Sequence, residues 1–150
     1  MRPRDGSGGG EKRAAAGRIE FFVPLGRIPT ATAQQRRHDR RGRTYETAEL
    51  AEARADLSAR FARYAPAAPL EGPLRLELVW CFPTRGRHRQ GEPKTTPPDL
   101  DNANKMPQDV LMRLGFFKDD SQIADLHDMK VWSDPGGVYV RVERIEWKET

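Results

Sequence analysis

A chain of 150 residues with 26 Lys and Arg against 22 Asp and Glu carries a net charge of +4. That size fits one domain, and the basic balance points to a polyanionic partner, either nucleic acid or a membrane surface. No run of about 18 apolar residues and no apolar leader is present, so neither a spanning helix nor a secretory signal is expected. Cys81 is the only cysteine, which excludes an intramolecular disulfide and a thiolate zinc cluster and fits a reducing, cytoplasmic setting.

In chain order, residues 1–17 are rich in Gly, Arg and Ala without periodicity, and read as a flexible tail ahead of one domain over 18–150. IEFFV (19–23) is a strand candidate. A basic loop follows, with Arg27, Arg36, Arg37, Arg40, Arg41 and Arg43 against the single acid Asp39. Residues 47–64 predict a helix, because Leu50, Ala53, Leu57, Phe61 and Tyr64 recur at spacings of three and four, with Thr47 as N-cap. After a Pro-rich connection, LRLELVWCF (74–82) alternates, placing Leu74, Leu76, Leu78, Trp80 and Phe82 on one strand face. Residues 83–98 form a second basic loop with Arg85, Arg87, His88, Arg89 and Lys94.

A helix is predicted over 102–114, capped by Asn102 and ended by Gly115, with Pro107 expected to kink or delay it. Strands over 122–132 and 138–147 close the chain around the turn SDPGG (133–137). The order β-α-β-α-β-β implies an α+β fold, or a mixed α/β sandwich, with two helices packed on a small mixed β-sheet. Trp80, Phe82, Phe116, Phe117 and Trp132 read as core or dimer residues, and His88 and His127 as surface groups or minor DNA contacts.

PDLDNANK (98–105) gathers acids in this basic chain. Residues two apart in extended chain point the same way, so Asp99 and Asp101 can face one point. Carboxylate oxygens suit Mg²⁺ or Mn²⁺, and Mg²⁺ needs only one or two carboxylates while keeping waters and sites for a phosphate. Asp119 and Asp120 can join them if the chain folds back. The intervening helix spans roughly 20 Å, so the segment after it must make that return. The structural alternatives are an N-cap, a turn and ordinary ion pairs, since Asp101, Lys105 and Asp109 share a helical face at i,i+4. Lys105 is read as the phosphate contact and Asp109 as structural. An EF-hand does not fit, because its fifth, sixth and twelfth positions would be Ala103, Asn104 and Val110.

The pattern DLDNANK…D…GFFKDDSQIADLHDMK, ungapped across 98–130, resembles the signature of the RusA family of Holliday junction resolvases. RRGRTYET (40–47) resembles that family's upstream Arg-rich segment, while Ala103 departs from its usual Leu. The resemblance implies a homodimeric, Mg²⁺-dependent endodeoxyribonuclease of DNA recombination and repair, cutting four-way junctions by paired nicks that leave 5′-phosphates. It places the essential acids on Asp99, Asp101 and Asp120, the essential lysine on Lys105, and a supporting acid on Asp119. Two basic runs flank the acidic motif, so Arg36, Arg37, Arg40, Arg41, Arg43, Arg85, Arg87, Arg89 and Lys94 are the expected DNA contacts. The alternatives are a metal-dependent nuclease of other branched DNA, or a non-catalytic DNA-binding dimer.

Overall fold

The centre of the fold is β4 (Leu74–Phe82), whose alternation buries Leu74, Leu76, Leu78, Trp80 and Phe82 on one face. The computed structural model describes residues 17–29, 37, 38, 40, 41, 44, 45 and 47–149. The tail reading for 1–17 therefore lies outside the described residues except at Gly17, as do Arg36 and Arg43 and the side chain of Arg37.

The other strands are β1 (Arg18–Pro24), β2 (Arg37–His38), β3 (Thr44–Tyr45), β5 (Glu92–Pro93), β6 (Ile123–Trp132) and β7 (Gly137–Arg144). Helix α1 spans Ala48–Phe61 and α2 spans Leu100–Arg113. The main sheet runs β1-β7-β4-β6-β5, and β2 pairs with β3 apart from it. Strand β4 is parallel to β6 and antiparallel to β7. A parallel pair needs a long crossover, and the basic loop with α2 supplies it. The expected α+β architecture is present, with three additional two-residue strands.

Both helices cover one sheet face. Leu50, Leu57 and Phe61 of α1 and Met106, Val110 and Leu111 of α2 share a single core with Ile19, Phe21, Val23, Val138, Val140 and Val142. Phe21 stacks on Tyr64 at 4.4 Å and meets the edge of Phe61 at 5.3 Å. The opposite sheet face is polar: Arg75 joins Asp125 at 2.6 Å and Glu143 at 3.2 Å, and Arg141 joins Glu77. Among the described residues no helix is long and apolar enough to cross a membrane.

Thr47 caps α1, accepting from the Leu50 amide at 3.2 Å. Helix α2 starts two residues earlier than expected, because Asp99 adopts the extended N-cap conformation and its carbonyl accepts from the Ala103 amide at 3.0 Å. Asn102 is therefore inside the helix and buried rather than its cap. The helix runs through Pro107, which is buried. Gly115, at φ 85°, ends it in the left-handed conformation that glycine adopts without strain. Strand β7 stops at Arg144, short of the expected Trp147, because its partners end there: β1 pairs up to Glu143 and β4 up to Arg144. Trp147 is 65% exposed.

Candidate functional site

The start of α2 presents Asp99 and Asp101, both exposed. An Asp that merely caps a helix bonds the amides of its first turn. Asp99 makes no such side-chain bond, so its carboxylate stays available. The i,i+4 ion pairs open to Lys105 are not formed. Asp109 instead joins Arg54 of α1 and Arg113 at 3.1 Å, which makes it a brace between helices. Lys105 is exposed, and among the described residues no carboxylate pairs with it.

Phe116 and Phe117 anchor the chain after α2. The Phe116 carbonyl accepts from the Leu70 amide at 2.8 Å, and Leu70 bridges to Phe117. From this anchor the chain enters a 3-10 turn, Asp120–Gln122, that leads directly into β6. Asp119 caps this turn: its Oδ1 accepts from the Ser121 amide at 2.8 Å, and those Ser121 bonds hold its carboxyl below the usual range. The Gln122 side-chain oxygen closes the capping box on the Asp119 amide at 3.1 Å. Asp119 thus holds the turn that carries Asp120.

Asp120 packs toward α2. Burial pushes its carboxyl above the usual range; the Gln108 side chain opposes this, and the charges of Asp109 and Asp119 add to it. Gln108 is itself oriented by Asn104, whose Nδ2 donates to Gln108 Oε1 at 3.0 Å. One oxygen of Asp120, Oδ1, is buried without a hydrogen-bond partner, and so is Asn104 Oδ1. Among the described residues, no three Asp, Glu, His or Cys side chains come close enough together to hold a metal ion. The donor chemistry nevertheless fits a hard divalent cation. Asp120 leaves an orphaned, buried carboxylate oxygen against the helix whose start carries two uncommitted carboxylates, and Mg²⁺ requires few protein ligands.

Asp128 lies outside the acids that the sequence pattern marks. It pairs with Leu78 across β4 and β6, and Oδ1 is buried without a partner. The available signal was parity, because Asp128, Lys130 and Trp132 share one strand face. Burial raises its carboxyl to about 6, with the His127 charge opposing. An acid raised on folding binds more protons when folded, so its contribution to stability falls as pH rises from about 4 to about 6. Asp128→Asn is expected to match wild type near pH 4 and to be more stable above pH 7, by on the order of 2 kcal/mol. Urea unfolding at the two pH values checks this, and a constant difference would refute it.

The basic loop after β4 is pinned to the end of β6. Gln90 Nε2 bonds Ser133 Oγ at 2.6 Å, the Gly91 amide bonds the Trp132 carbonyl at 2.7 Å, and His88 stacks on Trp132 at 3.8 Å. Arg85, Arg87 and Arg89 are exposed on this loop. Lys94, on the same loop, differs from these arginines in being buried. It is 8% exposed, with its ammonium 4.4 Å from the Trp132 ring centre and 4.9 Å from that of Phe82. Burial lowers its pKa, because the apolar surroundings disfavour the charge. Arg40 and Arg41 are exposed in the turn between β2 and β3. His127 sits on the polar sheet face, 2.9 Å from Asp125, and Trp80, Phe82, Phe116 and Phe117 are core.

Over 73 residues the chain is 32% identical to the crossover junction endodeoxyribonuclease rusA of Lactococcus phage r1t. The aligned part makes up 49% of this chain and spans about half, 56%, of that protein. Residues 28–143 match the family model described as endodeoxyribonuclease RusA, a span that begins after β1, reaches into β7 and includes Asp99, Asp101, Lys105 and Asp120. With that match over most of its length, the chain belongs to the RusA family.

Proposed function

We propose that this chain is a divalent-metal-dependent endodeoxyribonuclease that resolves four-way DNA junctions, acting as a homodimer in recombination and repair. The observation that carries the reading is the buried, unpartnered Oδ1 of Asp120, in a turn that packs on α2, the helix headed by the uncommitted Asp99 and Asp101. The family match and the phage relative's name support the choice of substrate.

Asp99, Asp101 and Asp120 would hold Mg²⁺ or Mn²⁺, and Asp119 keeps Asp120 in place through the capped turn. When bound, the ion supplies Lewis acidity and lowers the pKa of a coordinated water. Lys105, free of carboxylate partners among the described residues, offsets negative charge developing on the phosphate. Arg85, Arg87 and Arg89 draw the DNA backbone toward the acids from a loop already ordered before binding. A two-fold dimer sets two such sites against the near two-fold symmetry of a junction.

Incubation of the protein with a mobile four-way junction and Mg²⁺ is expected to give nicks at matched positions in two opposed strands. A folded protein that leaves the junction intact sinks the resolvase reading. Cutting of flaps and forks without symmetric junction nicks transfers the activity to other branched DNA. The basic loop has its own test. Replacing Arg85, Arg87 and Arg89 with Ala is expected to weaken junction binding and flatten the log–log salt slope by up to about 3. Fluorescence anisotropy in EDTA across about 50 to 200 mM salt measures it, and an unchanged slope removes the loop from the interface.

A further inference from the structure

Lys130 lies on the helix-bearing face of β6, paired in register with Trp80. Its ammonium donates to the carbonyls of Thr96 and Pro98, both at 2.8 Å. Its own main-chain carbonyl accepts from the Lys94 amide at 3.0 Å. One residue of β6 therefore ties down both ends of residues 94–98. Lys94 adds an inner tie from its ammonium to the Thr96 hydroxyl.

This strap needs such ties. Pro97 and Pro98 have no amide hydrogens, so the segment cannot pair as a regular strand, yet its carbonyls still require donors. The acid motif begins at the next residue. A single peptide unit separates the anchored Pro98 carbonyl from the Asp99 Cα, so fixing that carbonyl constrains where the Asp99 side chain starts. No capping bond holds the Asp99 carboxylate, which leaves its direction to the main chain. The tie is also charge-assisted, roughly twice as strong as a neutral one. Lys130 has no carboxylate partner among the described residues, and it stands close enough to Lys94 for their charges to repel. A cation is kept here despite that repulsion.

We infer that Lys130 is a positioning residue for the metal site, clamping the main chain before Asp99 so that its carboxylate meets the ion in one orientation. This rests on the metal-site reading above. Lys130 does not touch the reacting atoms in this role, which separates it from Lys105.

The test compares wild type, Lys130→Met, Lys130→Arg and Asp101→Asn. The readouts are Mn²⁺ affinity by calorimetry, junction affinity in EDTA by anisotropy, and melting temperature. Lys130→Met removes the donors at similar length. It is expected to lower Mn²⁺ affinity about 10- to 100-fold, as loss of a ligand-orienting partner does. Junction affinity should stay within about twofold, and Lys130→Arg should recover most of the loss. Unchanged Mn²⁺ affinity in folded Lys130→Met overturns the inference. A drop confined to junction affinity overturns it too, because Lys130 would then be a phosphate contact. If Lys130→Met does not fold, Lys130→Leu, which also removes the donors, is read by the same criteria. Wild type that binds Mn²⁺ but cuts no junction defeats the proposed function while this comparison still decides the role of Lys130. Wild type whose Mn²⁺ affinity equals that of Asp101→Asn defeats both.

Discussion

Asp101→Asn is expected to leave the protein folded and to reduce junction cleavage by at least about a thousandfold. Asp101 is exposed in the first turn of α2 and makes no ion pair among the described residues, so the change removes no packing. Asn keeps the shape but loses the charge that would help hold the cation. Asp120→Asn should abolish cleavage equally but shift stability differently. Its carboxyl is held above the usual range, so ionisation works against folding, and that penalty grows as pH rises through the raised value. The neutral amide escapes it. Asp120→Asn should therefore be inactive and more stable than wild type at alkaline pH, whereas Asp101→Asn should track wild type. Cleavage assays beside urea unfolding at pH 8 separate the two. Substantial cleavage by either variant would contradict the metal assignment.

Phe116→Ala is expected to destabilise the fold by about 3–5 kcal/mol. Phe116 is fully buried, with its ring 5.9 Å from Phe21 in the aromatic group that joins β1 to α1. Truncation loses the transfer free energy of the ring and leaves a cavity among rigid neighbours. For a chain of this size that amounts to roughly 10 °C in melting temperature. Phe116 also anchors the return from α2, since its carbonyl accepts from Leu70 four residues before Asp120. Residual folded Phe116→Ala is therefore expected to bind Mn²⁺ less tightly than wild type. Calorimetric melting and Mn²⁺ titration provide the check, and a loss below about 1 kcal/mol would mean that the site collapses around the smaller side chain.

Period-two alternation made β4 legible to the residue, because a strand buried on one face repeats its apolar positions without reference to the rest of the chain. The N-cap of α1 was legible for the same local reason. The start of α2 was misplaced, since Asn102 is as good a cap by type as Asp99, and only the extended backbone at Asp99 distinguishes them. Strand β7 was overextended, because the propensity of residues 145–147 carries no information about where neighbouring strands end.

The spacing of Asp99, Asp101, Lys105 and Asp120, and the basic runs around them, are properties of the sequence itself. They mark the chemistry because residue type and local periodicity are local facts. Which charges remain available is a tertiary matter. Arg54, from another helix, takes up Asp109. Ser121 and Gln122 draw Asp119 into a cap. Trp132 and Phe82 bury Lys94, while Asp120 is left with one buried oxygen unsatisfied. Those partners lie up to tens of residues away, and only packing brings them within reach.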